Sequence, residues 1–344
     1  MPFFLQYPEW ISPEVIPGLP LRWYGLMYIF AFITTFLLCK KQIASNKSLS
    51  EKINDDQLTN MFFWGIFGLL LGARLFAGIF YDPSGKFLHQ PWLLFWPFDS
   101  SGNFVGLQGM SYHGGLVGAI VGAVLYIRKN KLPLLEVGDV ITTAVPLGYT
   151  FGRLGNFFNA ELYGRVTTGW YGMIFPNAQR FSISQEWVQG VIEKTGIDPM
   201  STMVNLPRHA SQLYEAFLEG IVLFAIMWFI FRKRKPFSGF MMGLYLVGYG
   251  SLRFLAEYTR QPDIGLGYII NLSGKDPAPY MFETPFAFSM GQIFCMLMII
   301  AGISLWLGLR IYHNRPQKLA IEPTDPYTQQ NQNISQRMRK KLKN

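Results

Sequence analysis

The sequence has few charged residues and very few cysteines and histidines. Only 15% of its 344 residues are charged, and half are apolar or aromatic, whereas about 25% of an average soluble domain is charged. The two cysteines, Cys39 and Cys295, both lie within apolar stretches, so no disulfide framework is expected. No group of cysteines and histidines has metal-ligand spacing, and no metal or other cofactor is predicted. The composition argues against a soluble enzyme.

The formal net charge of +9 does not indicate nucleic-acid binding, because most of the excess lies at one end of the chain. Residues 310–344 carry eight bases and two acids. The other bases form short groups between apolar runs, so no basic face is left for a phosphate backbone. We expect no nucleic-acid partner. Residues 313–344 are polar and basic, and we expect them to form a disordered cytoplasmic tail.

Long apolar runs are abundant. A helix needs about 20 mostly apolar residues to cross a bilayer, and seven runs approach or reach that length. They are Leu21–Cys39, Met61–Phe80, Met110–Ile127, Val137–Phe158, Tyr214–Phe231, Phe240–Ala256 and Met290–Leu309. The sequence therefore predicts an all-α polytopic membrane protein with seven transmembrane helices in a single domain, residues 1–312. Residues 1–20 lack the basic start of a cleavable signal peptide, so the first run is expected to remain as an anchor.

Lysine and arginine are distributed unevenly between the connecting segments. If the N-terminus lies outside, segments 40–58, 128–136, 232–238 and 310–344 are inside and hold 19 bases in 70 residues, whereas the outer segments hold 7 in 134. Cytoplasmic loops are enriched in lysine and arginine. We therefore expect the N-terminus outside and the C-terminus in the cytoplasm, with residues 159–211 forming a small extracytoplasmic head.

Glycines recur at intervals of four in three of the runs, at Gly68/Gly72, Gly114/Gly118/Gly122 and Gly148/Gly152. Small residues at this spacing let membrane helices approach closely, so we expect these glycines mainly to pack the bundle. An inverted-repeat transporter would show an internal repeat and a matched pair of broken helices. The sequence shows neither feature.

Four arginines, Arg22, Arg74, Arg153 and Arg253, lie within the apolar runs. A charge in hydrocarbon costs about 3 kcal/mol or more unless it faces a polar cavity or a partner, so each is a functional candidate. With alternating helix directions, the last three lie in the later halves of outward-running helices. Other polar residues lie near the starts of the inward-running ones: Tyr24, His113, Gln212 and Glu215. These side chains are predicted to converge on the outer half of the bundle.

Two helix faces each collect several polar side chains. One carries Tyr249, Arg253 and Glu257, and the other carries Tyr149, Arg153 and Asn156. Two arginines that face one cavity suit a phosphate, because a guanidinium donates two parallel hydrogen bonds and keeps its charge when partly buried. Glu257 and Glu161 could instead be plain ion-pair partners of the arginines. The residues alone leave both interpretations open.

Two histidines flank predicted helices. His113 precedes Gly114 and Gly115 at the outer mouth of the third run, and His209 lies just before the fifth, where Ser211 is expected to act as N-cap. A lone histidine at a membrane interface is usually only hydrogen-bonded there, and its type alone does not distinguish that role from proton transfer.

The segment Gly152–Gly164, GRLGNFFNAELYG, resembles the signature of the bacterial prolipoprotein diacylglyceryl transferase family. Further segments match in order: WYGLMY from Trp23, GAR from Gly72, SYHGG from Ser111, RHASQLYE from Arg208, YGSLRFLAEYTRQPD from Tyr249 and SMGQ from Ser289. Ala210 stands where the family usually has proline, and segment 258–288 is longer than the family needs. Neither departure touches a matched polar residue.

The resemblance implies a transferase of the bacterial plasma (inner) membrane, with its active site towards the extracytoplasmic leaflet. Such an enzyme moves the diacylglyceryl group of phosphatidylglycerol onto the lipobox cysteine of a prolipoprotein, which forms a thioether and releases glycerol phosphate. The implied partners are phosphatidylglycerol, prolipoprotein signal peptides with a lipobox cysteine, and membrane lipids. No cofactor is implied.

The resemblance also sorts the candidate residues by role. Arg153 and Arg253 are expected to bind the phosphate and stabilise its charge. His113 is expected either to accept the thiol proton or to raise the thiolate fraction as a hydrogen-bond partner. These three are the catalytic candidates. Further phosphatidylglycerol-binding candidates are Tyr24, Asn156, Glu161 and Tyr249. A second tier contains Arg74, Gly164, His209, Gln212, Glu215, Glu257 and Arg260. Gly164 is expected to supply a backbone turn.

The main alternative is a transporter or channel for anionic lipids or solutes that binds them with the same arginines. It predicts polar residues along both halves of a path through the membrane. The inner halves of the predicted helices are almost purely apolar, with Asp139 the main exception. The sequence therefore favours the transferase.

Overall fold

The computed structural model describes residues 4–314 except for residues 17, 19–20, 83–84, 99–100, 103–108, 200, 263–266 and 275–279. The described chain is mostly helical. Its long helices are α1 Trp23–Ala44, α2 Asp55–Phe80, α3 Tyr112–Lys129, α4 Leu134–Phe158, α5 Glu186–Thr195, α6 Ser211–Phe231, α7 Phe240–Ala256 and α8 Met290–Asn314. Single-turn helices lie at Lys47–Ser50, Lys86–His89 and Pro91–Leu94.

Four of these helices, α1, α2, α6 and α8, are long and apolar enough to cross a membrane. The helix α7 is apolar but shorter, and α3 and α4 coincide with the two remaining predicted runs. The chain is thus a multi-pass membrane protein. The number of seven spans and their orientation remain predictions. The predicted tail lies outside the described residues except for residues 313–314, which belong to α8.

Several helices extend beyond the apolar runs that predicted them. The helix α1 continues past Cys39 to Ala44, and α2 begins at Asp55 instead of Met61. Before α2, the Asn54 side chain accepts the Gln57 amide proton and the Gln57 side chain accepts that of Asn54, which forms a capping box. Hydropathy therefore marks the apolar part of each helix and leaves out its capped, polar ends.

The helices α2 and α3 pack with their backbones in contact. A Cβ atom at Gly118 would lie 2.1 Å from the Gly68 carbonyl oxygen, and one at Gly72 would lie 2.3 Å from that of Gly114. A side chain at these positions would force the helices apart, so their glycines serve close packing, as predicted.

The third glycine pair behaves differently. A Cβ at Gly148 of α4 would lie 2.4 Å from the Thr35 hydroxyl of α1, whereas a Cβ at Gly152 would meet nothing within 4 Å. The packing prediction is thus confirmed for Gly148 and wrong for Gly152.

One end of the bundle is closed by an apolar cluster to which α1 to α4 all contribute. Its buried residues include Cys39 of α1, Leu58 of α2, Ile127 of α3 and Val137 of α4. The α2–α3 pair makes most of its contacts within itself and touches α1 and α4 only sparingly. This cluster is therefore its main attachment to the rest of the bundle.

The buried carboxylate of Asp139 joins α4 to α7 at the same end. It accepts hydrogen bonds from the backbone amides of Gly239 and Met241, each at 2.9 Å, and it lies 2.9 Å from the Lys235 ammonium. These contacts satisfy amides at the start of α7. Asp139 thus links the first half of α4 to the start of α7.

Three short strand pairs accompany the helices, so the predicted all-α class is too strict. Strand β1 (Leu5–Gln6) runs parallel to β2 (Met173–Ile174), with Leu5 opposite Met173. The other pairs are antiparallel: β3 (Phe181–Ser182) with β4 (Met203–Val204), and β5 (Tyr268–Asn271) with β6 (Ala287–Ser289).

Residues 159–211 form a small body with its own apolar core, here called the head. The core contains Val166, Phe181, Val188, Val191, Val204 and Leu206. The head also incorporates β1, and the Tyr7 hydroxyl donates to the Phe157 carbonyl oxygen at 2.9 Å. The predicted insertion is therefore completed by the start of the chain, a pairing too distant in sequence to be inferred from local pattern.

Candidate active site

Arg253, in the last turn of α7, is surrounded by three carboxylates. Its Nη1 contacts Glu215 of α6 and lies 3.5 Å from Glu219 Oε1, and its Nη2 lies 2.9 Å from Glu257 Oε2. The side chains of Glu215 and Glu219 are 1% and 0% exposed, and that of Arg253 is 8% exposed. The predicted face shared by Arg253 and Glu257 is confirmed as an ion pair.

Arg153 of α4 joins the same cluster. Its Nε lies 3.0 Å from Glu215 Oε2, the oxygen that also contacts Arg253. The same Nε donates to the Tyr149 hydroxyl at 2.5 Å, and Tyr149 in turn donates to Glu219 Oε2 at 2.6 Å. The two arginines therefore meet at one carboxylate, as the convergence argument predicted.

A second chain of contacts leads from Arg153 along the signature segment to which it belongs. Arg153 Nη1 lies 3.4 Å from Asn156 Oδ1, and Asn156 Nδ2 donates to Glu161 Oε1 at 2.9 Å. Gln212 of α6 donates to the Glu161 backbone carbonyl at 2.7 Å. Glu161 is thus linked to Arg153 through an amide and forms no direct ion pair with it among the described contacts.

The signature segment leaves α4 through two left-handed residues. Ala160 and Leu162 have φ angles of 51° and 55°, values that favour glycine. Gly164 is not among the residues with positive φ; a Cβ there would instead lie 2.3 Å from the Thr259 carbonyl oxygen. The predicted turn role of Gly164 is therefore wrong, because the position needs glycine for close backbone packing.

Two predicted tyrosines flank the arginines. The Tyr249 hydroxyl donates to that of Tyr149 at 3.5 Å, and the rings are 5.5 Å apart. The Tyr24 hydroxyl is 3.1 Å from that of Tyr28, which interacts electrostatically with Arg153 and with the Glu161 carboxylate. Tyr249 belongs to the cluster, and Tyr24 reaches it through Tyr28.

His113 lies at the exposed start of α3, outside the cluster just described. The neighbouring Tyr112 is the α3 side chain that interacts electrostatically with both Arg153 and Arg253. Ser111 caps this helix, because its hydroxyl oxygen accepts the Gly114 amide proton at 3.3 Å. The structure thus places His113 beside a residue that faces the arginines, and its role in proton transfer remains a prediction.

Arg74 does not join the other two arginines. It is buried, and it donates from Nε to the Leu94 carbonyl oxygen at 2.5 Å and from Nη1 to that of Gly109 at 3.0 Å. These contacts hold the segment between α2 and α3. Arg74 thus lies apart from the other two arginines, and loop carbonyls satisfy its charge.

The head joins the bundle through buried arginines of its own. Arg208 donates to Gln261 Oε1 at 2.5 Å and lies over the Tyr163 ring, and Arg165 donates to the Arg260 backbone carbonyl oxygen at 2.7 Å. Burial lowers the pKa of Arg208 to about 10, so it stays charged at neutral pH. The backbone of Arg260 thereby belongs to this junction.

His209 lies beside the junction, and its ring centroid is 5.5 Å from that of Tyr171 and 5.9 Å from that of Tyr214. Burial, with a smaller contribution from the charge of Arg165, lowers the pKa of His209 to about 4. It is therefore neutral at pH 7. Ser211 is the first residue of α6, and its hydroxyl donates to the Leu162 carbonyl oxygen, so the predicted N-cap role is wrong.

Several cluster residues were absent from the predicted set. Glu219, Tyr112 and Tyr28 all interact with the arginines. Glu219 follows Glu215 by one helical turn inside an apolar run, and a search for acids within the runs would have found it. Among the described residues, no group of three His, Cys, Asp or Glu side chains has an arrangement that could hold a metal ion.

Known proteins of one family match most of the chain. The family model described as "Prolipoprotein diacylglyceryl transferase" matches residues 13–308. A protein of Treponema denticola is 46% identical over 326 residues, which cover 90% of this chain and 96% of the relative. One from Chlorobaculum tepidum is 41% identical over 304 residues, with coverage of 87% and 90%. Both relatives are named phosphatidylglycerol–prolipoprotein diacylglyceryl transferase.

Proposed function

The chain belongs to the prolipoprotein diacylglyceryl transferase family, and from this premise we propose that it transfers the diacylglyceryl group of phosphatidylglycerol to the lipobox cysteine of prolipoproteins. The observation that carries the proposal is the meeting of Arg153 and Arg253 at Glu215. Helices α4, α6 and α7 bring the arginines together next to the signature segment. Such an arrangement suits a phosphodiester headgroup.

The reaction is a displacement at carbon. The cysteine sulfur forms a bond to the diacylglycerol carbon that carries the phosphate, and the bond from that carbon to oxygen breaks. The electron pair leaves with glycerol phosphate, and the product is a thioether. The guanidiniums of Arg153 and Arg253 stabilise the charge that gathers on the departing phosphate, which is typically the largest single contribution to such catalysis.

The arginines are held in position by carboxylates before the lipid binds. Arg253 contacts three of them, and Arg153 contacts one. A guanidinium has five N–H donors, so it can keep a carboxylate partner and donate to phosphate as well. Tyr249, Asn156, Glu161 and Tyr24 complete the phosphatidylglycerol site around them.

The thiol must lose its proton to react, because the thiolate is the nucleophile and a free cysteine has a pKa of about 8.5. We assign the role of proton acceptor to His113. Its exposed position at the start of α3 leaves it open to an incoming peptide, and its neighbour Tyr112 interacts electrostatically with both arginines.

The site also fits a position at the outer leaflet of the bacterial inner membrane. Seven spans with the N-terminus outside would put the head and the arginine cluster on the extracytoplasmic side, where a prolipoprotein presents its lipobox cysteine after its signal peptide has entered the bilayer. In this arrangement residues 1–312 form the transferase domain, 159–211 its extracytoplasmic insertion and 313–344 the cytoplasmic tail. Family membership favours this activity over a transporter or channel for anionic lipids.

The test is a mass-shift assay with a lipobox peptide, phosphatidylglycerol and the purified protein in detergent. Wild type should add one diacylglyceryl group to the peptide cysteine, and Arg153→Ala and Arg253→Ala should each reduce the rate by at least about 100-fold, as for loss of a charge-stabilising donor. Adduct formation by both variants at the wild-type rate would disprove the arginine assignment. No adduct with wild type would disprove the activity.

A further inference from the structure

The arginine cluster contains one more carboxylate than it contains guanidiniums. Glu215, Glu219 and Glu257 surround Arg153 and Arg253, so the five groups would carry a formal charge of −1 if all were ionised. All three carboxylates are buried. Like charges that share a site away from water favour a proton on one of them.

The substrate makes this imbalance worse. On the proposed function, on which this inference rests, the ligand is a phosphodiester with one negative charge. A fully ionised cluster would then hold two uncompensated negative charges, because the phosphate competes with the carboxylates for the same two guanidiniums. A proton on one carboxyl group would remove one of these two charges.

Geometry distinguishes the three carboxyl groups. Glu215 Oε2 contacts both arginines, and Glu257 pairs with Arg253 at 2.9 Å while its other oxygen accepts the Ser289 hydroxyl at 3.0 Å. Glu219 has the weakest compensation, a single contact with Arg253 at 3.5 Å. It is also fully buried, so its charged form loses the most hydration.

The other oxygen of Glu219 meets a neutral partner. It lies 2.6 Å from the Tyr149 hydroxyl, which accepts a hydrogen bond from Arg153 Nε. A hydrogen bond between a carboxyl group and a phenol forms whether or not the carboxyl carries a proton, since either group can donate. Glu219 can therefore change its charge while the contacts around it persist.

We propose that Glu219 holds a proton in the phosphatidylglycerol-bound state and thereby makes the arginine cluster neutral enough to accept the phosphodiester. Glu219 is a positioning residue in this scheme, because it acts through Arg253 and Tyr149. The expected consequence is that affinity for phosphatidylglycerol falls as the pH rises and Glu219 in the free enzyme loses its proton.

Other titratable and charged groups also face Glu219. They are Tyr149 and Arg153 of α4, Glu215 on its own helix, Tyr245, Tyr249 and Arg253 of α7, Tyr112 of α3 and Cys295 of α8. A pH effect in wild type alone could arise from any of them. The test therefore depends on whether substitution of Glu219 removes the effect.

The experiment compares Glu219→Gln, Glu219→Ala and the matched control Glu215→Gln, one turn earlier on α6. Glutamine has the shape of a protonated glutamate. Glu219→Ala should lower the transfer rate at least tenfold and Glu219→Gln should restore it to within about threefold of wild type, whereas Glu215→Gln should stay low. A Glu219→Gln rate as low as that of Glu215→Gln, with both variants folded, would overturn the proposal.

A binding measurement tests the charge directly. Isothermal titration of short-chain dihexanoyl phosphatidylglycerol into detergent-solubilised protein, without peptide, gives the affinity between pH 6 and 9.5. Wild-type affinity should fall up to tenfold per pH unit at the alkaline end, and that of Glu219→Gln should be constant. The same pH dependence in both proteins would overturn the proposal. Peptide modification by wild type in a separate assay would show that the transferase function stands even so.

Discussion

At the scale of single residues, the site depends on groups that touch more than one partner. Glu215 Oε2 contacts both arginines, and Arg253 contacts three carboxylates through two nitrogens. Each contact fixes the direction of a guanidinium before substrate arrives. A forked cation can satisfy such a set of acceptors, and a point charge cannot.

Replacement of Arg253 by lysine should therefore abolish most activity although the charge is kept. We expect kcat/KM for transfer to fall about 100-fold, or about 2.7 kcal/mol at 1.36 kcal/mol per tenfold. The matched control is Arg128→Lys, because Arg128 is exposed at the end of α3. Equal activity of the two variants would contradict the need for the fork.

His209 gives a prediction for pH. Its folded-state pKa of about 4 lies below the unfolded value of about 6.5, so the unfolded chain binds the proton more readily. Stability should therefore decrease as the pH falls from 6.5 towards 4, and this contribution should be absent above pH 6.5. Melting temperatures of wild type and His209→Phe across this range would measure it. An equal decrease in the melting temperatures of wild type and His209→Phe would show that His209 is not the group responsible.

The sequence predicted the two arginines because a charge within an apolar run is costly and must have a reason. It offered Glu257 as a partner of Arg253, one turn along the same helix, but it did not pair Glu215 or Glu219 with the arginines. Those contacts form only after α4, α6 and α7 have packed. Arg74 satisfied the same sequence criterion, but its partners are loop carbonyls. Depth along a helix is thus inferable from sequence, whereas the facing partner is not.

At the scale of elements, backbone contact decides how helices pair. Along α2 and α3 the glycines leave no room for a methyl group, and a Cβ at Gly118 would lie 2.1 Å from a carbonyl oxygen.

In α6, π-helical turns with hydrogen bonds to the fifth residue cover Ala216–Val222 and Ile226–Phe231. π-Helical turns are rare overall, but those that occur often lie at functional sites. The first of the two turns in α6 contains Glu219.

Replacement of Gly118 by alanine should destabilise the protein, because α2 and α3 must separate. We expect a loss of about 1–3 kcal/mol, as for overpacking in a dense core. The control is Gly308→Ala in α8, where a Cβ meets nothing within 4 Å and alanine favours the helix. Thermal unfolding in detergent should show a lower midpoint for the first variant and no decrease for the second.

At the scale of the whole molecule, the ion pairs are concentrated at the two ends of the helix bundle. The arginine cluster lies beside the head, and the other end carries the Asp139 contacts and the exposed ion pairs Lys40–Asp55 and Lys52–Glu136. The sequence predicted this division from the distribution of lysine and arginine. It did not predict that β1 completes the head, since that pairing joins residues far apart in the chain.

The proposed orientation can be measured by labelling. Single cysteines at Lys129, at the end of α3, and at Glu186, in the head, should differ in whole cells: a membrane-impermeant maleimide should label only the second. The native Cys39 and Cys295 are buried, so they should contribute little background. Labelling of the first position alone would reverse the topology, and permeabilised cells, in which both should react, provide the control.

The attachment of the α2–α3 pair has a mechanical consequence. The two helices are joined along their length by glycine contacts, but they are fixed to the bundle mainly by the apolar cluster at the end away from the head. A stiff hairpin that is held at one end can pivot about that end. Its other end includes the start of α3, which carries Tyr112 and His113. We expect a rotation of the hairpin about the cluster to change the distance from these two side chains to the arginines.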